Sequence, residues 1–567
     1  MCGIFGIINP KYDTKVITSS FDKGYKRGPE FSVLNKYDNI YFGFHRLAIN
    51  GLNSKSNQPF EIDNIILICN GEIYNYKKLA ENNNISLKTE SDCEIILHMY
   101  KLYGIEYTLS VLDGVFAFML YDKNKNKVII SRDPYGVRPL YIHYNNETIL
   151  ISSELKCIYN LCINKKEIFN FTPGHYIYIN NHKNYLMYYN RKYTYFPFVQ
   201  NKFELNNIFY NSLCGFLKKA VKKRVIGTTE RPIGCLLSGG LDSSLIACLV
   251  NKYLKQQDPS KKLETFSIGL DGSEDLKYAK IVANHINSNH HEIIVSEDDF
   301  FNAIPEVIEN ISSYDTTTVR ASVGNYLIGK YIKENTDCKV IFNGDGADEL
   351  MGGYLYMKSC PNPYEFDKET KRLLNDIHMF DVLRSDRCIS SHGLEPRTPF
   401  LDREFVEFYL SIDKNIRYFT TLNKCEKYLI RQSFSTIYKD LVPESILWRT
   451  KEAFSDGVSS LNRSWYEIID EKIKSLMLYD ENISKQLNNI RITYNNFDLS
   501  PNIPCTDEQL YYRYLFNQKY SMTDNLIPYF WMPKYVSSND ASARTLNIYK
   551  NNNSNCNNVK EDILDLV

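Results

Sequence analysis

Apolar runs of strand length recur along the whole chain, but what separates them changes near residue 200. The chain opens on an apolar strand ending at Ile8, and up to about residue 190 short runs such as Ile65–Cys69 and Leu112–Phe118, and the stretch Ser131–Leu140, alternate with turn residues. Further on, strands alternate with helices. A helix over Ile208–Arg224 leads to a strand from Ile233, a turn at Ser238–Gly240 and a helix to Leu254. The strand Leu263–Leu270 precedes a helix ending at His285. A helical stretch ends in Tyr314–Ser322, and then a helix leads to the strand Lys339–Phe342. This alternation predicts an α/β domain with a parallel sheet and a ligand at the carboxyl ends of its strands. Between Tyr188 and Asn207 the chain is aromatic, holds Pro197 and shows no clear period, which marks a crossing between domains. The pattern therefore divides the chain into residues 2–190, a connection over 191–207, a second domain over 208–549 and an Asn-rich tail, 550–567, expected to be mobile.

Bulk properties narrow the partners. A chain of 567 residues is too long for one hydrophobic core. Lys+Arg and Asp+Glu are both 67, so no basic field invites nucleic acid or an anionic membrane. No apolar run approaches the ~20 residues of a membrane span, and the first residues lack a secretory pattern, so the expected location is cytoplasmic. The 14 Cys show no paired C-x-x-C spacing, which argues against a disulfide framework or a zinc site.

The candidate chemistry begins at Ile233-Gly-Cys-Leu-Leu-Ser-Gly-Gly-Leu-Asp-Ser-Ser244. Two glycines let the backbone approach a ligand, and the N–H groups opening the helix, with the Ser238, Ser243 and Ser244 hydroxyls, form an anion site suited to a phosphate chain. No Lys follows the glycines, so this is not the loop that serves γ-phosphoryl transfer. Asp242 suits Mg²⁺ held against phosphate oxygens. A Ser/Gly turn before an ordinary helix is the plain alternative.

At the other end, Cys2 follows the initiator Met. If Met1 is removed, one residue carries a thiol and a free α-amino group, whose pKa near 8 lets it take the thiol proton. A buried Cys that happens to sit second is the alternative. Asn70-Gly71 offers an amide and a backbone N–H for a developing oxyanion, or a plain hairpin turn. Asp275 is a candidate phosphate, magnesium or substrate group, or simply a helix N-cap.

Several segments carry a resemblance. The loop Ser238–Ser244 resembles the pyrophosphate loop of ATP pyrophosphatases. Cys2, Arg27-Gly28-Pro29, Gly43–Ile49, Cys69–Asn75 and Glu90–Glu94 resemble the glutamine amidotransferase domain of the N-terminal-nucleophile hydrolases. With Asn343-Gly344-Asp345-Gly346-Ala347-Asp348-Glu349, Phe380–Arg387, Pro399–Asp402, Arg449–Gly457 and Tyr529–Lys534, the chain from Cys2 to about Tyr549 is similar to the glutamine-hydrolysing asparagine synthetase family.

That resemblance implies an αββα sandwich followed by a doubly wound parallel-sheet domain. It implies glutamine hydrolysis at Cys2, with Asn70 and Gly71 as oxyanion hole. Glutamine is then held by Arg46, Leu47, Ala48, Ile49, Asn50, Glu72 and Asp92. It further implies MgATP on Leu236, Ser238, Gly239, Gly240, Asp242, Ser243, Ser244, Ile268, Asn343 and Gly344, with Mg²⁺ on Asp242 and Asp348. Thr317, Thr318 and Asp345 would lie beside a β-aspartyl-AMP intermediate, and Lys451 and Arg320 would neutralise phosphate charge. Substrates are glutamine, aspartate and ATP; ammonia passes by an internal tunnel, and a homodimer is compatible. The chain departs from the family at Lys26 and Glu30, where His and Asp are usual, at Asp345, where Glu is usual, and at Ala347, where Ser is usual. Two other readings stay open. One is a glutamine-dependent ligase or cyclase acting on another carboxylic acid; the other is a degenerate, non-catalytic scaffold motivated by Asp345 and Ala347.

Overall fold

In the computed structural model, the period-two pattern of the first strands builds two stacked layers. The model describes residues 1–549 apart from 146, 182–185, 229, 423, 497–501, 539 and 548; the Asn-rich tail lies outside the described residues. Strand β1 (Gly3–Ile8) pairs antiparallel with β3 (Ile40–Arg46), which also pairs with β2 (Phe31–Tyr37). The second layer contains β4 (Phe60–Ile62), β5 (Ile65–Ile73), β6 (Gly114–Asp122) and β7 (Lys127–Arg132). Strands β8 (Tyr141–Tyr144), β9 (Ile149–Ser152) and β10 (Ile168–Asn170) complete the first sheet, and β11 (His175–Asn181) and β12 (Leu186–Lys192) the second. The orders are β10-β8-β9-β1-β3-β2 and β12-β11-β7-β6-β5-β4.

Alternate residues of each strand take opposite faces. Ile4, Ile8, Phe42 and Phe44 of one sheet therefore meet Ile66, Ile68, Met119 and Ile130 of the other in a shared core. The outward residues are covered by helices. Phe5 and Ile7 pack with Ile17 and Phe21 of α1 (Thr14–Asp22), while Ile65, Leu67 and Cys69 pack with α2 (Ile95–Val111). The result is the αββα sandwich. Residues 133–140 are not strand: β7 ends at Arg132, and the Asp133 carboxylate gathers the N–H groups of Tyr135, Val137 and Arg138 into a buried turn.

From β12 the chain crosses to α3 (Asn207–Ile226), and on the way the Asn201 N–H donates to Ser411 at 2.6 Å while its carbonyl accepts from Asp413 at 2.9 Å. The second domain is a five-stranded sheet of β13 (Ile233–Leu236), β14 (Glu264–Gly269), β15 (Asn289–Ile294), β16 (Val340–Phe342) and β17 (Glu395–Arg397). Its order is β15-β14-β13-β16-β17, and every pairing is parallel. Helices α4 (Leu241–Gln257) and α5 (Glu274–Ile286) bury Leu245, Leu249 and Val282 on one face. Helix α6 (Thr316–Asn335) brings Val319 and Val323 against Phe266, Ile268 and Ile341 on the other. Ser273, not Asp275, caps α5: its hydroxyl accepts the Leu276 N–H, and Asp275 sits inside the first turn. The strand order reverses between β13 and β16, which opens a crevice at their carboxyl ends.

The two domains meet through buried charge. Arg27 donates to Asp386 at 2.7 Å and to Ser390 at 2.9 Å, both on α7 (Asp381–Ser390). Arg397 pairs with Glu72 at 3.2 Å, Arg138 lies 3.7 Å from Glu395, and Arg387 donates to the Ser153 carbonyl at 2.9 Å. The Met1 α-amino group donates to the Leu394 carbonyl at 3.0 Å. Among the described residues, no helix is long and apolar enough to cross a membrane.

Candidate active sites

The first site lies between the edge of β1 and the middle of β5. Cys2, Arg46, Leu47, Ile49, Asn50, Asn70, Gly71, Glu72 and Asp92 line one small cavity of ≈ 30 Å³ together with Cys69, Cys93 and Glu395. Asn70 and Gly71 are within β5, opposite Ala117 and Phe116 of β6, so the hairpin-turn reading does not hold. Gly71 is required there, because a Cβ would lie 2.6 Å from the Val115 carbonyl oxygen. Both side-chain amide atoms of Asn70 are buried with no hydrogen-bond partner, a cost that marks a group waiting for a ligand. The Cys2 thiol donates to the Leu47 carbonyl at 3.5 Å. Burial raises its pKa to about 11, against the pull of the adjacent terminal amine. Burial also lowers the Met1 α-amino group to about 5, so that amine is neutral at pH 7.

Arg46 is aimed by loop oxygens. Its guanidinium donates to the Asn53 carbonyl at 3.0 Å, to Asn57 Oδ1 at 2.6 Å and to the Asn50 and Gly51 carbonyls. Asp92 accepts the Ile73 N–H at 2.5 Å, and burial raises its pKa to about 6. Glu72 accepts from Asn50 at 3.1 Å; burial pushes its pKa well up, with Arg397 opposing. Ala48 does not line the cavity. Its N–H donates to Glu30 at 2.6 Å and its carbonyl accepts from Arg231 at 2.8 Å, and Arg231 also pairs with Glu30. Glu30, where the family usually has Asp, thus fastens the pocket loop to the second domain.

The second site fills the crevice between β13 and β16. Leu236, Ser238, Gly240, Asp242, Ser243, Ile268, Thr317, Asn343, Gly344, Asp345, Asp348 and Lys451 line a cavity of ≈ 150 Å³. The two loops touch: a Cβ on Gly344 would stand 2.8 Å from the Ser243 nitrogen. Gly239 is not in the lining. Its backbone is left-handed (φ +67°), and a Cβ would strike the Tyr278 and Ala279 backbone at 2.4 Å, so it seats the loop on α5. Ser244 is fully buried in α4 behind the loop. Asp345 accepts from Arg384 at 3.1 Å; burial raises its pKa while Arg384 pulls it down. Asp275 is paired with Arg449 at 3.0 Å and is raised to about 6, chiefly by burial.

Two expected residues are elsewhere. Arg320 points away from the crevice, where its guanidinium is bidentate to both Glu508, on α8 (Asp507–Tyr520), and Asp540. Thr318 faces back to the start of α6, where its hydroxyl and N–H both donate to Asp315, the helix N-cap. Thr317 alone turns into the crevice, its hydroxyl buried and unpartnered. The cations that do line it, besides Lys451, are Lys427, Arg384, Arg431 and Arg449. Arg384 and Arg449 fall inside segments quoted above and were legible as charge there. Lys427 gives no local signal.

Asp242 and Asp348 are matched to cations: Lys427 Nζ is 2.5 Å from each, and Lys451 Nζ is 2.7 Å from Asp348. The lysines lower the Asp348 pKa against the effect of burial. Asp242 Oδ1 is buried without a hydrogen-bond partner. Two carboxylates with a spare oxygen are a hard donor set that fits Mg²⁺ once phosphate oxygens complete it. No cluster of three metal-ligating side chains exists among the described residues.

Comparison with known proteins gives matching results. A glutamine amidotransferase domain model matches residues 1–193, and an asparagine synthase model matches 213–364 and 358–489. Curated proteins from Gallus gallus and Homo sapiens, both named asparagine synthetase [glutamine-hydrolyzing], are 40% identical to the chain, over 97% of its length and 99% of theirs.

Proposed function

Because the chain belongs to the glutamine-hydrolysing asparagine synthetase family, we propose that it makes L-asparagine from L-aspartate, drawing nitrogen from L-glutamine and converting ATP to AMP and pyrophosphate. The chemistry divides between the two sites. Arg46 takes the α-carboxylate of glutamine, where a planar guanidinium already fixed by loop oxygens loses little freedom. Asp92 takes the α-ammonium. Cys2, freed of Met1, attacks the amide carbon while its own α-amino group accepts the thiol proton. Asn70 Nδ2 and the Gly71 N–H receive the oxyanion, the α-amino group passes its proton to the departing nitrogen so that ammonia leaves as the thioester forms, and water then hydrolyses the thioester to glutamate and free Cys2.

In the crevice, the N–H groups opening α4 and the hydroxyls of Ser238 and Ser243 grip the departing pyrophosphate. Leu236 and Ile268 offer an apolar wall to the adenine. The aspartate β-carboxylate attacks the α-phosphorus, giving β-aspartyl-AMP and pyrophosphate, with Lys451 neutralising charge. Mg²⁺ held by Asp242 and Asp348 would screen the β- and γ-phosphates. Asp345 accepts a proton from the ammonia that displaces AMP. Its raised pKa suits a base, and Arg384 fixes the shorter side chain.

The observation that carries this reading is a shared residue. Arg397 binds Glu72 of the first pocket through its side chain, and its carbonyl accepts the Asn343 N–H at 3.0 Å, at the head of the loop that carries Asp345. Incubation with amide-¹⁵N glutamine, aspartate and MgATP should give ¹⁵N-asparagine with one AMP per turnover, from a protein whose intact mass starts at Cys2. Formation of ADP would overturn the nucleotide half. If an acid other than aspartate stimulates ATP–pyrophosphate exchange, the enzyme is a ligase for that acid.

A further inference from the structure

Lys427 is built into its place. It is 2% exposed, and its own backbone takes a left-handed conformation (φ 57°) that non-glycine residues seldom adopt, at the head of the helix Tyr428–Ile437. Gly353 makes room for it, since a Cβ there would lie 2.0 Å from Lys427 Cε. Its neighbour Glu426 accepts the Lys451 N–H at 2.9 Å and the Arg431 guanidinium at 2.8 Å, so one short segment sets both lysines of the crevice. The Lys427 ammonium is thereby held between Asp242 and Asp348, 2.5 Å from each.

We propose that Lys427 reserves the divalent-cation position: its ammonium bridges Asp242 and Asp348 until nucleotide arrives, so these carboxylates accept a divalent cation only together with a phosphate chain. This rests on the reading of Asp242 and Asp348 as the metal carboxylates. The reason is electrostatic. A bare divalent ion would enter beside two ammonium groups with only two carboxylates to balance the set. It must also displace a tethered cation whose side chain is fixed by packing and which therefore competes at high effective concentration. A nucleotide's phosphates supply the missing negative charge and give the compact, strongly hydrated ammonium a new partner. The order of events follows from charge: metal and nucleotide enter as one unit. Without nucleotide the two carboxylates and the two ammonium groups balance one another.

The test uses the full chain and Mn²⁺ followed by electron paramagnetic resonance, first without nucleotide and then with α,β-methylene-ATP. Wild-type protein should take up Mn²⁺ at this site only in the second case. Lys427→Met and Lys427→Gln should tighten nucleotide-free Mn²⁺ binding by at least about 10-fold, the scale of a typical coupling between two sites, and adding Asp242→Asn should abolish the gain. Glutamine hydrolysis, performed in the other domain, reports that each variant has folded. Wild-type Mn²⁺ binding without nucleotide that is lost on Asp242→Asn would overturn the proposal even if neither Lys427 variant folds, as would equal affinities for wild type and a folded variant. If Mn²⁺ fails to bind with α,β-methylene-ATP present, or if Asp242→Asn leaves that binding unchanged, the metal assignment itself falls.

Discussion

In the thiol pocket two of the groups that face substrate are left open: Asn70 has neither amide atom bonded, and Asp92 carries no ion pair among the described residues. In the nucleotide crevice the opposite holds. Asp242 and Asp348 are matched to lysines, Asp345 and Asp381 to Arg384, and Asp275 to Arg449. The difference follows from what each binds. Glutamine brings one charge of each sign, so a pocket can wait with its own charges few and separate. A triphosphate brings a block of negative charge, and the cations kept for it would repel one another unless acidic groups held them meanwhile. The first site binds by filling gaps, the second by exchanging partners.

That contrast can be broken at four points. The largest effect should come from Arg320→Met. It leaves the buried Glu508 and the partly covered Asp540 without their cation, so unfolding free energy should fall by about 3–5 kcal/mol, read as a lowered denaturation midpoint. AMP formation by the folded protein should hold. A variant of normal stability that forms no AMP would return Arg320 to the phosphate site. Next, Asn70→Ala should lower glutaminase kcat by roughly 10²–10³, about 2.7–4 kcal/mol, while synthesis from added ammonia continues. Equal loss of both activities would show that the pocket is not independent.

The third point is pH. Burial favours the neutral form of Asp92, so its carboxylate is present above pH ~6 and is lost as pH falls through that value. The KM for glutamine should therefore rise about tenfold per pH unit below 6, with kcat changing less and ammonia-dependent synthesis, compared at constant free NH3, not following it. Asp92→Asn should have a high KM without that rise. The smallest effect should be that of Asp345→Glu, which restores the family's side-chain length and should keep or raise synthesis by no more than about tenfold, within the ~10²-fold span that a 1 Å displacement can cost. If it abolishes asparagine formation while Asp345→Ala leaves it intact, Asp345 is not the base.

What could be read from the chain alone follows the same divide. Ser238, Gly240, Asp242 and Ser243 of the loop after β13, with Arg46, Asn70 and Asp92, are set by strand ends and turns within a few residues of them, and they line the two cavities. The two-layer sandwich and the parallel sheet follow from periods of two and from strand–helix alternation. Arg320 and Thr318 lie outside the crevice lining for a different reason. The carboxylates that claim Arg320 arrive 188 and 220 residues later in the chain, and Thr318 is drawn into its own helix cap. Lys427 has no signal of its own because its meaning lies in Asp242 and in the segment that carries Asp348 and the missing Cβ of Gly353, two parts of the chain far from it.

The contact between the halves limits how the molecule can be divided. Arg27, Arg138 and Glu72 on one side and Asp386, Glu395 and Arg397 on the other are almost wholly buried, so cutting the polypeptide near residue 200 would leave six desolvated charges exposed on two new surfaces. Neither fragment should serve as a free-standing module, and a transplant of the thiol domain onto another acceptor would have to bring Asp386, Glu395 and Arg397 along as its socket.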